Sequence, residues 1–290
     1  MTQTPTPVSA IVIARNERAH LEKCLPSLSW ADELIVIDMG STDGSLELAR
    51  AHADRLFHVD PAPIAEPTRA AAAAIARHDW ILLVDPDEAI PPGLVTQMRC
   101  TLNAETDLGA ISLPMRFYFK HQRLDGTVWG TLTYKQRLVH RQRCRILPWA
   151  NRLTRLDEGQ REVRIPWDGD NHMRHYWSNS YAELLRRHLT RYAHTEARAL
   201  AGNGLKFTWR RALSRPFIEL YRSLRDFDGW RLGARGFLLS GIYFAYTLAS
   251  EWLVLTYQGR TSPSEALEVQ SLPVLREDDL KTRTPLEQAA

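Results

Sequence analysis

Residues 80–88 read WILLVDPDE, and this stretch decides the fold class of the chain. A continuous apolar run is typical of a buried strand in a parallel sheet, and the acids Asp85, Asp87 and Glu88 follow the run directly. In open α/β sheets, ligands bind outside the carboxyl ends of the strands, where an Asp-x-Asp pair can hold a divalent cation that neutralises a diphosphate. Taken alone, however, the pair favours a solvated turn in which Asp residues cap the next helix.

The residues before this stretch supply the rest of a nucleotide site, because strands alternate with helices there. Turn-rich loops follow the first two strands, at residues 15–17 and 40–45. This alternation predicts βαβ units and a parallel sheet. Strands are predicted at residues 8–14, 33–39, 55–59 and 80–85, and helices at residues 19–28, 46–53 and 69–77.

The pattern becomes less regular beyond residue 92. A helix is predicted at residues 94–102, and strands are predicted at 110–119 and 134–140. We expect residues 147–170 to be mostly loop. A long helix is predicted at residues 180–201, with Ser180 as its N-terminal cap.

The composition is that of a globular protein. The chain has 290 residues, of which 44% are hydrophobic, so it can bury a full core. Residues 1–7 contain neither a basic region nor an apolar run, so we expect no secretory signal and a cytoplasmic location. Cys24, Cys100 and Cys144 lie far apart in sequence, which predicts neither disulfides nor a zinc site.

Positive charge is concentrated in the middle of the chain. Residues 120–235 contain 24 Lys and Arg against 11 Asp and Glu, although the net charge of the whole chain is only +3. Such a stretch is either a solvated basic surface or a binding surface for an anionic partner. Because no nucleic-acid-binding signature accompanies the charge, we expect a phosphorylated glycolipid or an anionic membrane surface, and no nucleic acid.

Residues 236–257 form an apolar run with a single charge, Glu251. The run is nearly long enough to span a bilayer, but Glu251 and several Ser, Thr and Tyr residues disfavour spanning. Nearby tryptophans and arginines favour a helix that lies on the membrane surface, and the alternative is a helix buried against the core or a dimer partner. We expect a peripheral protein on the inner face of the cytoplasmic membrane.

Four motifs, taken in order, carry a resemblance to a known family. They are residues 10–17 (AIVIARNE), residues 37–44 (IDMGSTDG), Arg69 before an alanine-rich helix, and residues 79–88 (DWILLVDPDE). Together they resemble the family 2 glycosyltransferases, and within that family the bacterial lipopolysaccharide-core β-1,4-glucosyltransferase group. The resemblance covers residues 8–257 and is most specific in the four motifs. It implies a GT-A fold, in which a Rossmann-like, mostly parallel sheet is flanked by helices, with a helical C-terminal extension here.

The resemblance also implies a role for each matching position. The nucleoside would lie near Asn16, the base would contact Asp38, and the ribose or the metal would lie near Asp85. Asp87 would bind Mg²⁺ or Mn²⁺ bridging the donor diphosphate, since hard carboxylate oxygens suit those cations. The implied donor-binding residues are Ala14, Asn16, Glu17, Asp38, Asp43, Arg69 and Asp85.

Family 2 enzymes invert the anomeric centre, which requires a carboxylate to take the proton of the acceptor hydroxyl. The resembling group carries a His-Glu pair upstream of a histidine before the long helix, and Asp157-Glu158 followed by His175 occupies comparable positions. We therefore nominate Glu158 as the base, with Asp157, Asp168 and Asp170 as alternatives. An exposed turn at 157–159 is the competing interpretation, and a structural role is favoured for His172 and His175.

The resemblance predicts an enzyme that transfers a hexose, glucose in the resembling group, from a nucleotide-diphosphate sugar to a lipopolysaccharide-core or related envelope glycan. Three positions depart from the family pattern, namely Met39, Ala70 and Pro86. One alternative, in which the changes at positions 39, 70 and 157 mark lost chemistry, is a non-catalytic sugar-nucleotide-binding protein at the membrane surface. Another is a polyprenyl-phosphate glycosyltransferase, which shares the first domain.

The predicted organisation divides the chain by function. We expect a nucleotide-sugar-binding half at residues 8–118, an acceptor-side half at 119–179 and a helical extension at 180–258. Residues 1–7 and 259–290 are predicted to be disordered.

Overall fold

A computed structural model describes residues 5–62, 65–105, 107–149, 152–202, 204–259 and 272–278. The chain forms two compact units. The first unit contains the described residues up to Met115, then Thr133–His175 and the C-terminal segment 272–278; the second contains Arg116–Leu132 and the described residues from Tyr176 to Gly259. The predicted donor-binding and acceptor-side halves, residues 8–118 and 119–179, are distinguished by the ligand that each would bind. The two compact units do not test that division, so it stays a prediction.

The first unit begins with the predicted alternation of strands and helices. Every residue of β1 and β4 is buried, because both faces of this part of the sheet are covered. β1 pairs in parallel with both β2 and β4, and β2 pairs in parallel with β3. The strands are β1 (Val8–Ala14), β2 (Glu33–Asp38), β3 (Arg55–His58) and β4 (Trp80–Val84), and the helices are α1 (Arg18–Cys24), α2 (Ser45–His52) and α3 (Glu66–Ile75).

Antiparallel strands extend the sheet beyond β4. The next elements are β5 (Glu88–Ala89), α4 (Pro92–Ala104), β6 (Leu108–Phe119), β7 (Gln122–Arg123) and β8 (Thr133–His140). β8 pairs antiparallel to β4 and to β6, so β6 runs in the same direction as β4. The carboxyl ends of β1, β2, β4 and β6 therefore lie at one edge of the sheet, which we call the carboxyl edge.

Residues 147–170 correct one prediction, because they are not mostly loop. This region holds β9 (Cys144–Trp149), β10 (Arg152–Leu156) and β11 (Arg161–Arg164). β9 and β10 form an antiparallel hairpin, and β11 pairs in parallel with β6. Arginines at many positions of these strands interrupt the apolar alternation that would reveal a strand in the sequence.

The C-terminal segment corrects a second prediction, since part of residues 259–290 is ordered. β13 (Arg276–Glu277) pairs antiparallel with β3, and Glu277 accepts a 2.9 Å hydrogen bond from Arg55. The rest of that range, apart from residues 259 and 272–278, lies outside the described residues, as do residues 1–4 at the other end.

The second unit is mainly helical. The predicted helix at 180–201 is present as three segments, and Ser180 caps the first by accepting a hydrogen bond from the Glu183 amide, as predicted. α8 packs against α6 and α7. The elements are β12 (Met173–Ser178), which begins in the first unit, α5 (Tyr181–Arg187), a π-helical turn (His188–Tyr192), α6 (Ala193–Gly202), α7 (Trp209–Tyr221), a π-helical turn (Arg222–Asp226), a 3-10 turn (Gly229–Leu232) and α8 (Ala234–Tyr257).

Candidate active site

The loops after β1 and β2 are joined by hydrogen bonds at the carboxyl edge. The Asn16 side chain accepts a 2.8 Å hydrogen bond from the Thr42 amide, and the Asn16 amide donates to the Ser41 hydroxyl. Asn16 has a φ of 55°, in the left-handed region that Asn tolerates better than most residues. Ala14 pairs in register with Asp38, so the two predicted nucleoside positions lie side by side.

Asp43 and Glu17 also lie in the loops after β2 and β1, and both form hydrogen bonds there. Asp43 accepts hydrogen bonds from the Arg18 amide and from the Ser45 amide and hydroxyl. Burial acts to raise the pKa of Asp43, but these hydrogen bonds outweigh it and lower the pKa. The Glu17 amide donates to the Ser45 hydroxyl, and its carboxylate lies 2.7 Å from the His20 ring. The loops are therefore held in place by side chains that the sequence assigned to donor binding.

Asp38 is almost fully buried at the end of β2. Its carboxylate accepts hydrogen bonds from the amides of Gly40 and Ser41, and its nearest oxygen lies 3.8 Å from the His58 ring. A carboxylate has about four acceptor positions, so these amides leave room for one further donor. Asp38 thus caps its own loop and can still bind a nucleobase.

Asp85 lies between two guanidinium groups. One oxygen accepts from Arg69 of α3, and the other accepts a 2.6 Å hydrogen bond from Arg137 of β8. Arg137 also donates to Glu88, which is fully buried. Burial and the neighbouring charge of Arg137 lower the pKa of Arg69 to about 10. Two acids and two arginines therefore neutralise each other at the end of β4.

Asp87 faces His175, which enters the site from β12. Their nearest side-chain atoms are 3.5 Å apart, and the other ring nitrogen of His175 lies 3.4 Å from Glu88. Burial raises the pKa of Asp87, and the charge of His175 only partly offsets it. Burial acts to lower the pKa of His175, but the two carboxylates outweigh it and raise the pKa.

The donor set around Asp87 fits a hard divalent cation bound together with a substrate. Adjacent ligands of an octahedral Mg²⁺ at 2.0–2.1 Å are about 3 Å apart, close to the 3.5 Å between Asp87 and His175. Among the described residues, no group of three or more His, Cys, Asp and Glu forms a complete metal site. Mg²⁺ is commonly held by one or two carboxylates plus substrate phosphates, so two protein ligands suffice.

The structure does not bring Glu158 or Asp157 to this site, which corrects the nomination of Glu158. The amide of Asp157 donates to the Arg143 carbonyl, and the amide of Arg143 donates to the His140 carbonyl. His140 pairs with Trp80, the first residue of β4. Asp85 lies five positions after Trp80, a span of about 16 Å along a strand. The turn after β10 therefore lies at the opposite edge of the sheet.

Asp168 and Asp170 lie at the carboxyl edge instead. They follow β11, which runs parallel to β6. In this loop the Trp167 amide donates a 3.3 Å hydrogen bond to the Tyr134 hydroxyl. His172, which precedes β12, is fully buried with its ring 3.1 Å from the Gly169 carbonyl oxygen, in agreement with its structural interpretation.

A cavity of about 800 Å³ in the first unit joins Asp85 to the strands beyond β4. Its volume is within the range that holds small-molecule ligands, about 300–1,000 Å³. Three acids and five cations line it, and Asp85 with Arg69 forms one end. The lining residues are Glu66, Arg69, Asp85, Ser112, Tyr134, Lys135, Gln136, Arg137, Leu147, Thr154, Arg155, Glu162 and Arg164.

Arg137 is the site residue that sequence reasoning missed, and the role of His175 was underestimated. Arg137 lies within the basic stretch, and nothing in its local sequence distinguishes it from its neighbours. His175 reaches Glu88 because β12 pairs with β5 in the register His175↔Glu88. Such pairings between distant segments are decided by tertiary structure.

Comparison with known proteins identifies similarity mainly in the N-terminal half of the chain. The family model described as Glycosyl transferase family 2 matches residues 9–153. The chain is 32% identical over 92 residues to the lipopolysaccharide core biosynthesis glycosyltransferase LpsC of Rhizobium meliloti, covering 30% of this chain and 34% of that protein. It is 38% identical over 97 residues to a TPR repeat-containing protein of Synechococcus elongatus, covering 33% of this chain and 24% of that protein. The chain thus spans about a third or less of the length of either relative.

A solved structure extends the likeness over most of the chain. The mannosyltransferase PcManGT of Pyrobaculum calidifontis, solved in complex with GDP-Man and Mn²⁺, superposes with a TM-score of 0.50 at 17% identity. The superposition covers 87% of this chain and 89% of that one. At this level of identity the likeness shows the fold, and it confirms the predicted α/β fold of the GT-A type.

Proposed function

Since the chain belongs to glycosyltransferase family 2, we propose that it transfers a hexose from a nucleotide-diphosphate sugar to a lipopolysaccharide-core or related envelope glycan, with inversion of the anomeric centre. The observation that carries this proposal is the meeting of the donor loops, Asp85 and the Asp87–His175 pair at one edge of the sheet. The relative named for lipopolysaccharide core biosynthesis supports the acceptor class.

We assign the steps of the reaction to different residues. Asp38 and Asn16 bind the nucleoside, while Asp87 and His175 would hold a Mg²⁺ or Mn²⁺ ion. The cation supplies charge stabilisation for the departing nucleoside diphosphate. Asp168 or Asp170 takes the proton of the acceptor hydroxyl, whose oxygen bonds to the anomeric carbon as the bond from that carbon to the diphosphate oxygen breaks.

Arg69 and Arg137 act as positioning residues in this proposal. They hold the Asp85 carboxylate from two sides, which fixes its orientation beside the donor. With both of its oxygens bonded to guanidinium groups, Asp85 is a weaker candidate metal ligand than Asp87. Asp85 is therefore assigned to the ribose side of the donor.

We also propose that the second unit binds an anionic membrane surface from the cytoplasmic side. α8 is the one helix of the described residues that is long and apolar enough to cross a membrane, with a mean hydropathy of 1.4. Its Glu251 is buried and paired with Arg211 and Arg215 of α7, so neither arginine is available to the membrane. Arg235 likewise bonds to the Phe119 carbonyl oxygen. These contacts favour a helix that packs within the unit and exposes one face.

The exposed face of α7 and α8 supports this membrane proposal. Trp209 contacts Trp252 with ring centroids 5.3 Å apart, and Phe217 contacts Phe244 at 5.1 Å, so the two helices share one surface. Exposed apolar patches of this kind mark membrane or protein interaction sites. The exposed apolar residues of this face are Trp209, Leu213, Phe217, Ile218, Tyr221, Phe237, Leu238, Trp252 and Leu255.

The proposed activity is tested by hydrolysis and transfer with a panel of nucleotide sugars. UDP- and GDP-linked hexoses are incubated with the full-length protein and Mn²⁺ or Mg²⁺, with and without a chelator. We expect cation-dependent release of one nucleoside diphosphate, and mass spectrometry of envelope glycolipid from a deletion strain should show the loss of one hexose. Nucleotide binding without release or transfer, and an unchanged glycolipid, would instead support the non-catalytic alternative.

A further inference from the structure

The cavity beside Asp85 carries unequal charge at its two ends. At the Asp85 end, Arg69 and Arg137 are neutralised by Asp85 and Glu88. The other three lining cations come from β8, from β11, which pairs with β6, and from β10 of the separate β9–β10 hairpin. They are Lys135, Arg155 and Arg164.

In the part of the chain that the structure describes, two of these cations have no partner that neutralises them, and the third has only a long ion pair. Among the described residues, neither Lys135 nor Arg155 forms an ion pair or a side-chain hydrogen bond. Arg164 lies over the Tyr134 ring, with 5.6 Å to its centroid, and its nearest carboxylate oxygen is 4.0 Å away on Glu162. Glu162 is already bonded to Ser112 and Gln136. The far end of the cavity therefore has an excess of positive charge.

The position of these cations assigns them to the acceptor rather than to the donor. The sheet order places β4 between β1 and β8, and β11 pairs with β6 beyond β8, so Lys135 and Arg164 lie on the other side of Asp85 from the nucleoside loops. In an inverting displacement, the acceptor hydroxyl approaches from the side opposite the departing diphosphate. The loop that carries Asp168 and Asp170 also contacts Tyr134 of the cavity wall.

We propose that Lys135, Arg155 and Arg164 form a subsite for an oxyanion, a phosphate or a carboxylate, carried by the acceptor glycan. This inference rests on the proposed transferase function and specifies its acceptor. The planar guanidinium groups of Arg155 and Arg164 match the paired oxygens of either anion, and Lys135 adds a point charge.

The test uses small probes and the full-length protein. The protein is first saturated with Mg²⁺, which is diamagnetic, and with UDP or GDP, whichever binds, and is then titrated by NMR with glucose 6-phosphate, glucuronate and methyl glucoside. We expect at least one anionic probe to bind about 10-fold more tightly than methyl glucoside, a difference of about 1.4 kcal/mol, because charged hydrogen bonds are stronger than neutral ones. The stronger of the two anionic probes identifies phosphate or carboxylate as the source.

Matched arginine variants locate the effect. Arg155→Gln combined with Arg164→Gln should remove the preference for anions without changing nucleotide affinity. The control variant combines Arg145→Gln on β9 with Arg161→Gln on β11, and neither residue lines the cavity. This variant should retain the preference for anions. Equal binding of all three probes, or a preference that survives in the cavity variant, would overturn the subsite while leaving the transferase function intact. Absence of any nucleotide binding would overturn both proposals together.

Discussion

Asp87 is the residue on which metal-dependent transfer depends in the proposed mechanism. Its carboxylate lies 3.5 Å from His175 and is separate from the Asp85–Arg137 contacts. Asp85 and Asp87 are two residues apart in sequence, yet they have different partners and different roles. The side chain that faces each acid decides its chemistry, because local charge and burial set the preferred protonation state.

Replacing Asp87 by Asn should abolish most transfer and preserve the fold. Loss of one ligand to a cation at the diphosphate removes about 3 kcal/mol or more of charge stabilisation, a rate loss of at least about 100-fold. Steady-state kinetics with added Mn²⁺ measure this loss. The exposed Asp107→Asn variant serves as the control and should keep wild-type turnover. Near-normal turnover of Asp87→Asn would contradict the metal assignment.

The catalytic base is predicted to be Asp168 or Asp170. General-base catalysis contributes about 10²–10⁴-fold in rate, so Asp168→Asn or Asp170→Asn should lower kcat by that factor with nucleotide affinity unchanged. Glu158→Gln is a stringent control, because it removes a carboxylate at the opposite edge of the sheet. The assignment fails if both Asp variants react at the wild-type rate, or if Glu158→Gln is the variant that loses activity.

Among the helices, α8 shows how one buried charge determines which face of an apolar helix is exposed. Glu251 is buried against α7, and its two arginine partners supply the compensating charge. A buried, paired carboxylate fixes the rotation of α8 about its axis, because only one rotation brings Glu251 to both arginines. The opposite face of α8 is then the exposed one.

Removing the Glu251 charge should destabilise the protein. Glu251→Gln leaves Arg211 and Arg215 without their shared carboxylate, although both arginines are partly exposed and Arg215 keeps Glu196 as a partner. Loss of hydrogen bonds to a charged group then costs about 1.5–3 kcal/mol. Arg231→Gln, which removes only an exposed pair with Asp228, should change the free energy of unfolding by less than about 1 kcal/mol. Denaturant unfolding followed by tryptophan fluorescence compares the two. Equal stabilities would show that Glu251 does not hold α8 in place.

For the whole molecule, the charge distribution and the apolar face of the second unit predict reversible membrane binding. Each Lys or Arg near an anionic surface contributes about 1 kcal/mol, and salt screens that contribution. We expect the protein to sediment with anionic liposomes at low salt and to be released in part by high salt. Resistance to both salt and carbonate would instead mean that α8 spans the bilayer.

The liposome experiment has matched variants. Trp209→Ser combined with Phe217→Ser removes two exposed aromatic residues of α7 and should reduce sedimentation several-fold. Ile75→Ser removes an exposed apolar residue of the first unit and should not. Equal sedimentation of both variants would show that the α7–α8 face does not contact the membrane.

The sequence by itself determined β1 to β4, the loops that follow the first two strands, and the placement of Asp38, Asp85 and Asp87 at one edge. These features depend on residues close together in the chain, because an apolar strand and the turn after it are local patterns. Parallel pairing then places the carboxyl ends of these strands at one edge of the sheet, so no long-range sequence signal is needed to predict it. Ser180 as a helix cap was predictable for the same reason.

Only the tertiary structure decided the partners of these residues. Arg137 and His175 reach the acids through the pairing of β8 with β4 and of β12 with β5, and Glu158 is excluded because its turn lies at the far edge. The alternation of side chains along a strand indicates a face of the sheet, but it does not indicate which strand is the neighbour or which edge a loop occupies. Long-range pairing fixes both, because the free energy of each register is set by packing against segments distant in the chain.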